Sequence, residues 1–256
     1  MPAAPPPVLS IIVPTYNERD RLPELVSSIF AAYASAALDG ELVIVDDNSP
    51  DGTGALAEQL ARTSRIKVIH RAGKLGLGTA VIEGFAAAGA PVVGVIDADM
   101  SHPPMLLPRM YAIMQQHRAD AVVGSRYIPG GGTRNWPVSR LVMSRFACVL
   151  ARRLTPVRDA TSGFFLIRRD LATGVHIAAG GFKICLELLV RGRPQTVVEV
   201  PYVFSGRTAG ESKMNVKEAF GYLAQLRNLH RLARSSARVP LRYLRAAPEE
   251  MHERSA

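Results

Sequence analysis

Two aspartates with one residue between them, Asp97 and Asp99, directly follow the apolar run Val92–Ile96. Carboxylate oxygens are ligands that Mg²⁺ and Mn²⁺ prefer, and two side chains in a turning backbone can converge on one ion. Such an ion would bridge the phosphates of a nucleotide and stabilise a diphosphate as a leaving group. The alternative is that these acids only cap the next helix. His102 could be a further ligand, but the prolines after it favour a structural histidine held in a turn.

Acidic residues also follow two other apolar runs. Asp46 and Asp47 come directly after Glu41–Val45 and precede a turn sequence, and a carboxylate at this position could hydrogen-bond a ribose or a base. The run Leu9–Val13 leads into Pro14–Glu18, which contains an aromatic residue and an acid. Three acidic strand ends are harder to explain by helix capping than one.

The first half of the sequence alternates short β-branched runs with helical stretches. The predicted strands are Leu9–Val13, Glu41–Val45, Ile66–Ile69, Val92–Ile96 and Ala121–Val123, and the predicted helices are Leu22–Ala34, Thr53–Arg62, Thr79–Ala88 and Met105–His117. The strands lack polar alternation, as expected when both faces are buried. This order predicts an α/β fold with a mostly parallel, doubly wound sheet and flanking helices. In such sheets ligands bind beyond the carboxyl ends of the strands, where the acids lie.

The second half is less regular, and no repeat or linker divides it. The predicted elements are a Gly-rich loop at Pro129–Pro137, a helix at Val138–Leu154, strands at Phe164–Ile167 and Thr196–Val200, and a long helix from Asn215 that is interrupted near Pro240. We therefore expect a disordered tail (residues 1–8), one domain (residues 9–226) and a basic helical extension (residues 227–256).

The composition narrows the possible partners. The formal net charge of +9 and the sequence pI near 10.0 favour a polyanionic partner: a nucleic acid, an anionic membrane or phosphorylated substrates. Cys148 and Cys185 form no metal-binding pattern, and they are expected in the core of a protein from a reducing compartment. No signal peptide and no apolar run of about 18 residues is recognisable, so we expect a cytoplasmic protein.

Seven short motifs, taken together in this order and spacing, resemble the dolichyl-phosphate (polyprenyl-phosphate) mannose synthase group of family 2 glycosyltransferases. They are Val13–Glu18, Val45–Gly54, Asp97–Pro104, Gly124–Tyr127, Thr161–Phe164, Gly181–Lys183 and Gly210–Lys213. The motifs span about residues 9 to 226. The resemblance implies a GT-A fold and transfer of mannose from GDP-mannose to a polyprenyl phosphate.

The resemblance also implies roles for individual residues. Those expected to hold the nucleoside are Pro14, Tyr16, Glu18, Val45 and Asp47. Those expected to contact the donor or hold Mg²⁺ or Mn²⁺ are Asp97, Ala98, Asp99 and, as a metal ligand, Ser101. Those expected around the phosphates are Arg126, Lys183, Arg207 and Lys213, a role that suits cationic side chains. The implied catalytic set is Asp97, Asp99, Arg126, Arg207 and Lys213. Without the resemblance, Arg126, Arg207 and Lys213 would be taken as ordinary solvated charges.

The sequence departs from the group at two positions and lacks one common feature. Ser101 stands where the group often has Gln, which leaves the identity and affinity of the metal open, and Ala160 stands where the group often has Pro. Many relatives also carry C-terminal transmembrane helices. The implied reaction inverts the sugar by a single displacement. A phosphate acceptor, already ionised near neutral pH, explains why no obvious carboxylate base is present.

The acceptor lies in a bilayer, so we expect the protein to be peripheral on the cytoplasmic face of an anionic membrane. Val138–Leu154 and the basic C-terminal helix are the two candidate contacts, and a membrane-embedded partner subunit is a further possibility. In the alternative for the C-terminal helix, Phe220–Leu232 packs on the core.

Three other functions are compatible with parts of the sequence. One is transfer from UDP-glucose or another donor, and a second is nucleotide-sugar binding without catalysis. The third is nucleic-acid binding, but no RRM, KH or helix-turn-helix signature accompanies the basic charge.

Overall fold

The computed structural model describes residues 5–175, 183–205, 216–235 and 240–247. The strands are β1 (Leu9–Thr15), β2 (Gly40–Asp46), β3 (Ile66–His70), β4 (Val92–Val95), β5 (Ala121–Ser125), β6 (Gly132–Arg134), β7 (Phe165–Arg168), β8 (Thr196–Pro201), β9 (Val203–Ser205) and β10 (Arg242–Arg245). The helices are α1 (Leu22–Ser35), α2 (Thr53–Ala61), α3 (Leu77–Ala87), α4 (Leu107–Gln116), α5 (Val138–Ala151), α6 (Arg169–Ala172), α7 (Ile184–Arg191) and α8 (Val216–Ser235). Up to β5, strands and helices alternate as the sequence predicts.

Eight of the described strands form one sheet in the order β10-β8-β5-β7-β4-β1-β2-β3. Neighbouring strands are parallel except where β7 lies antiparallel between β4 and β5. The predicted mostly parallel α/β sheet is therefore confirmed. The carboxyl ends of β1, β2, β4 and β5 meet at one edge, which brings the acidic segments to the same side of the molecule.

The sheet is covered on both faces, and β1 illustrates how its sequence serves both. Ile11 and Val13 pack in one apolar layer with Leu25 of α1, whereas Ile12 packs in the opposite layer with Phe85 of α3. Successive strand residues point to opposite faces, so an unbroken apolar run is needed when both faces are covered. Cys148 and Cys185 are free and buried in the described structure, which confirms their predicted place in the core.

Two segments of the second half differ from the prediction. The predicted loop at Pro129–Pro137 contains β6, which pairs in parallel with β9 in a separate two-stranded sheet. The predicted helix beyond Pro240 is wrong for Arg242–Arg245, which is the strand β10 paired with β8. Without β10, β8 would present unpaired backbone groups at the sheet edge, and the pairing satisfies them.

The predicted basic extension from residue 227 is corrected in its described part. Leu226 and Leu229 of α8 are buried in an apolar layer that also contains residues of α7 and of the sheet, and β10 is a strand of the main sheet. Within the described residues, no helix combines the length and the apolar character needed to cross a membrane.

Candidate active site

A cavity of about 520 Å³ opens at the carboxyl ends of β1, β4 and β5. Seven of the residues expected from the sequence line it: Pro14, Glu18, Asp97, Ala98, Asp99, Arg126 and Lys183. The cavity therefore has carboxylates on the side of β1 and β4, and cationic groups on the side of β5 and α7. An extended anion carrying a bound cation would complement both sides.

The acidic side is a tight turn that follows β4. Met100 adopts a left-handed conformation (φ 61°), and the turn allows the backbone N–H of Ser101 to donate to Asp99 Oδ1 at 3.0 Å. The backbone N–H of Asp97 donates to His102 Nδ1 at 3.3 Å. A positive φ is uncommon for residues other than glycine. The residues that adopt it are concentrated at functional sites. The turn thus fixes both aspartates from the backbone.

His102 supports this turn by packing against three aromatic rings. Its ring stacks on Phe164 with centroids 5.2 Å apart and meets Tyr202 and Phe204 edge-on. Burial lowers the pKa of His102 and outweighs the opposite effect of Asp97 and Asp99. The lowered pKa agrees with the geometry, in which Nδ1 accepts the hydrogen bond from the backbone of Asp97. These contacts agree with a structural histidine in a turn.

The residues of this turn fit a divalent cation. Ser101 is 1% exposed, and its Oγ has no hydrogen-bond partner among the described residues. A buried hydroxyl without a partner is costly, and a metal ion would satisfy it. Asp97 and Asp99 supply carboxylate oxygens, the ligand type of Mg²⁺ and Mn²⁺. No group of three or more His, Cys, Asp or Glu residues arranged for metal binding occurs in the described part of the chain. Further ligands would have to come from a bound phosphate or from water.

The segment Thr161–Gly163 closes the cavity against the acidic turn. A Cβ atom placed on Gly163 would lie 3.2 Å from Asp97 Oδ2 and 3.5 Å from His102 Cε1. Any side chain at Gly163 would therefore crowd the carboxylate that faces the cavity. This close approach explains why the run Thr161-Ser162-Gly163 ends in glycine.

Arg126 is the central cation of the opposite side. Its Nε and one terminal nitrogen each lie 2.7 Å from the carboxylate of Asp159, and its backbone N–H donates to the same carboxylate at 2.9 Å. Burial alone would lower the pKa of Arg126, but Asp159 outweighs burial and raises it above its usual range. Arg126 is thus permanently charged and rigidly oriented.

Aromatic residues surround the guanidinium groups. The Arg126 guanidinium lies 5.3 Å from the ring centroid of Trp136 and 5.8 Å from that of Phe204, and the Arg140 guanidinium lies 4.1 Å from Trp136. Arg140, Trp136 and Phe204 also line the cavity. Cation–π contacts hold both guanidinium planes while leaving donors for a phosphate.

Lys183 lies at the start of α7, on the same side of the cavity. Burial lowers its pKa, and the nearby charge of Arg126 lowers it further. An anion bound between Lys183 and Arg126 would relieve this repulsion. The position agrees with the phosphate-binding role expected for Lys183, which stays a prediction.

The residues expected around the nucleoside are only partly at the cavity. Pro14 and Glu18 line it, and Tyr16 is 37% exposed with Lys74 Nζ at 3.9 Å from its ring centroid. Val45 is fully buried, so only its backbone could contact a ligand. The roles of all these residues stay predictions.

Asp47 is already engaged by the chain itself. It forms an ion pair with Arg71 and accepts a hydrogen bond from the backbone of Gly76 at 3.2 Å. Arg71 also bonds Glu83 at 3.0 Å and the Thr79 hydroxyl at 2.6 Å. Asp47 therefore connects the backbone at Gly76, directly before α3, to the end of β2. A contact between Asp47 and a nucleoside would use the lone pairs that remain.

Two predicted site residues, Arg207 and Lys213, lie outside the described residues, as do Gly181, Phe182 and the rest of Gly210–Lys213. Sequence reasoning assigned no role to Asp159 or Glu199, which hold Arg126 in place. The Glu199 carboxylate accepts the backbone N–H groups of Arg158 and Asp159, both at 2.9 Å, and the hydroxyl of Tyr243. A usable signal was a lone glutamate in the otherwise apolar strand β8, because a buried charge requires several partners.

The mostly parallel α/β sheet, with a cavity at the carboxyl ends of its strands, agrees with the GT-A glycosyltransferase fold that the resemblance implies. Residues 10–176 match the family described as glycosyl transferase family 2, and the chain belongs to this family. Two relatives place it more narrowly. It is 42% identical over 228 residues to a dolichol-phosphate mannosyltransferase of Pyrococcus furiosus (88% of this chain, 63% of the relative). It is 40% identical over 230 residues to a polyprenol monophosphomannose synthase of Mycolicibacterium smegmatis (84% of this chain, 85% of the relative).

These relatives confirm the resemblance seen in the sequence, although the chain spans less than two thirds of the Pyrococcus relative. A solved structure with the same fold is a mannosyltransferase from Pyrobaculum calidifontis in complex with GDP-Man and Mn²⁺. It has a TM-score of 0.63 at 18% identity and covers 92% of this chain and 66% of that protein. At that identity the likeness supports the fold alone.

Proposed function

We propose that the chain transfers mannose from GDP-mannose to a polyprenyl phosphate of the dolichyl type, forming polyprenyl-phosphate-mannose. The observation that carries the proposal is the cavity with carboxylates on one side and Arg126 and Lys183 on the other. Such a cavity suits a sugar nucleotide whose diphosphate lies between a metal-binding turn and buried cations. The names of the two relatives supply the sugar and the acceptor class.

The chemistry asked of the protein is positioning and charge stabilisation. An acceptor phosphate is already ionised near neutral pH, so no side chain has to remove a proton before it attacks the sugar. Arg126 and Lys183 would hold phosphate oxygens, and the pair with Asp159 would keep the Arg126 guanidinium in one orientation. A single displacement would invert the configuration at the sugar carbon.

Asp97, Asp99 and Ser101 would hold the divalent cation, with Mg²⁺ and Mn²⁺ as the two candidates. When bound, the cation would neutralise the charge that develops on the departing diphosphate. The support from this chain is the buried hydroxyl of Ser101, which has no hydrogen-bond partner among the described residues and belongs to the same turn as Asp97 and Asp99. The short Ser101 side chain would favour an ion that keeps water or phosphate ligands.

We further propose that the protein is peripheral on the cytoplasmic face of a membrane. Helix α5 exposes five apolar residues, and four of them recur at helical spacing: Val138, Val142, Phe146 and Val149. On α8, Leu226 and Leu229 are buried, and Phe220 and Leu223 are exposed. The two helices touch, because the Tyr222 hydroxyl donates to the carbonyl of Ala147 at 2.7 Å. Exposed apolar residues among arginines are typical of helices that lie on anionic lipid. A membrane-embedded partner subunit would also hold the protein at the membrane.

The test is a radiolabelled transfer assay with the purified full chain and a short polyprenyl phosphate. GDP-mannose, UDP-glucose and UDP-N-acetylglucosamine are compared, each with Mg²⁺, Mn²⁺ or EDTA. We expect a lipid-extractable product from GDP-mannose that depends on the cation. Product from a UDP-sugar but not from GDP-mannose would show that the proposed donor is wrong. Binding of donors without turnover would contradict an enzymatic function.

A further inference from the structure

A second cavity, of about 320 Å³, lies beside α5 and shares no lining residue with the active-site cavity. Its lining residues are Tyr127, Arg145, Cys148, Val149, Arg152 and Arg158. Arg145, Val149 and the C-cap residue Arg152 recur at spacings of three and four residues, so they lie on one face of α5 and its C-terminal end. The buried Cys148 lies beside them, and Tyr127 and Arg158 complete the lining.

The guanidinium groups of the three arginines that line this cavity form no ion pair with a carboxylate among the described residues. The contact of Arg158 with Glu199 is made by its backbone N–H. The Arg145 guanidinium lies 5.7 Å from the ring centroid of Tyr127. The Arg126 guanidinium lies 5.2 Å from the same centroid. Asp159 accepts from Cys148 Sγ at 3.7 Å, and both of its carboxylate oxygens already bind Arg126. Three converging guanidinium groups without a counter-charge repel one another. A bound anion would remove this repulsion and would find several donors.

The rim of the cavity is apolar and exposed. Val149 lines the cavity and is 52% exposed, and it continues the exposed stripe formed by Val142 and Phe146 at 59% and 62%. A soluble anion would gain nothing from such a rim. A phospholipid would place its phosphate among the arginines and the beginning of its acyl chains against the stripe.

We propose that this cavity binds the phosphate headgroup of an anionic phospholipid and so fixes how α5 lies on the membrane. The proposal goes beyond sugar transfer, because it requires neither the sugar donor nor the polyprenyl acceptor. It predicts a membrane affinity that depends on particular arginines rather than on net charge alone.

Two adjacent arginines give a matched test. Arg152 lines the cavity, whereas Arg153 is also exposed, lies next to it in the chain and does not line the cavity. Arg152→Gln and Arg153→Gln change the net charge equally. The full chain is sedimented with phosphatidylcholine vesicles that contain or lack phosphatidylglycerol, without nucleotide sugar or polyprenyl phosphate. We expect Arg152→Gln and Arg145→Gln each to lower binding to the anionic vesicles about fivefold, equivalent to roughly 1 kcal/mol, with Arg153→Gln close to the wild type.

The other outcomes would overturn the proposal. Equal losses in all three variants would mean diffuse electrostatic attraction, and no loss in any would mean that α5 does not meet the lipid. Titration with inorganic phosphate, followed by calorimetry, separates a soluble anion from a lipid. Tight phosphate binding that Arg152→Gln abolishes, without any vesicle effect, would assign the cavity to a soluble anion.

A further arm uses phosphatidylcholine vesicles that contain polyprenyl phosphate in place of phosphatidylglycerol. If only these vesicles bind through Arg145 and Arg152, the cavity serves the acceptor, and the phospholipid proposal is wrong. Transfer to a short soluble acceptor is measured in the same variants and should be unchanged. Loss of vesicle binding with normal transfer would thus separate this proposal from the proposed activity.

Discussion

Replacing Asp159 with Asn is the most direct test of how the phosphate side of the cavity is built. In the native chain both oxygens of the fully buried Asp159 carboxylate face the Arg126 guanidinium at 2.7 Å. An amide of the same size keeps one acceptor and turns an N–H donor toward the guanidinium. Arg126 would then be a buried charge without a counter-charge.

Breaking one member of a buried ion pair costs about 3–5 kcal/mol, because the partner left behind is still desolvated. For a chain of this size each kcal/mol lowers the midpoint of thermal unfolding by about 2–4 °C, so we expect a decrease of about 10 °C. The reoriented arginine should also lower kcat/KM, since small misplacements of a binding group can reduce rates about a hundredfold.

Asp170 provides a matched control. Its two carboxylate oxygens accept hydrogen bonds from Nε of Arg168, at 3.1 Å, and from one terminal nitrogen of the same guanidinium. Both side chains are more than half exposed. Asp170→Asn should therefore cost less than about 1 kcal/mol. Urea unfolding of both variants, beside transfer kinetics well below the melting temperature, gives the comparison.

Two results would contradict this prediction. Equal unfolding free energies for Asp159→Asn and Asp170→Asn would mean that burial of the Arg126 pair carries no special cost. A large loss of stability with unchanged kcat/KM would mean that Arg126 is structural and does not contact the donor or the acceptor.

Asp97→Asn and Asp99→Asn should each lower transfer at least about a hundredfold through loss of leaving-group stabilisation, and near-normal turnover with EDTA-treated protein would contradict a metal role. Arg207→Ala and Lys213→Ala should lower kcat/KM for transfer while the thermal melt stays unchanged; a folding defect alone would show that these residues are structural. Tyr243→Phe should cost about 1 kcal/mol in urea unfolding, since Glu199 loses one donor. Burial and Glu199 raise the pKa of Tyr243 to about 12 in the folded chain. The stability linked to its protonated form is therefore present below about pH 10 and is lost between about pH 10 and 12, a loss that the Phe variant lacks.

The parts of the site that follow directly from strands were predictable from the sequence. Asp97, Glu18 and Pro14 lie where apolar runs end, and a parallel sheet brings such ends to one edge. The local rule was sufficient because each residue lies within a few positions of its strand. The expectation for β6 failed because its partner β9 lies far along the chain, and no local pattern distinguishes such a short strand from a loop.

The supports of Arg126 could not be predicted because they depend on distant contacts. Arg126 and Asp159 are 33 residues apart, Asp159 and Glu199 are 40 apart, and Glu199 and Tyr243 are 44 apart. Each residue alone resembles an ordinary charged or aromatic position. The strand that carries Tyr243 was predicted as a helix, because its arginines extend the basic pattern of α8 and its pairing with β8 is not visible in the sequence.

The edge position of β10 links the rim of the sheet to its ligand cavity. Edge strands open more readily than central ones, so we expect backbone amides of Arg242–Arg245 to exchange with deuterium well before those of β1 or β4. Each opening removes the Tyr243 hydroxyl from Glu199, and water must then solvate a carboxylate that is otherwise completely buried. Since Glu199 also holds the backbone of Asp159, brief fraying at the rim should loosen Arg126. A bound nucleotide sugar should, in return, slow exchange in β10, although no residue of this strand lines the cavity.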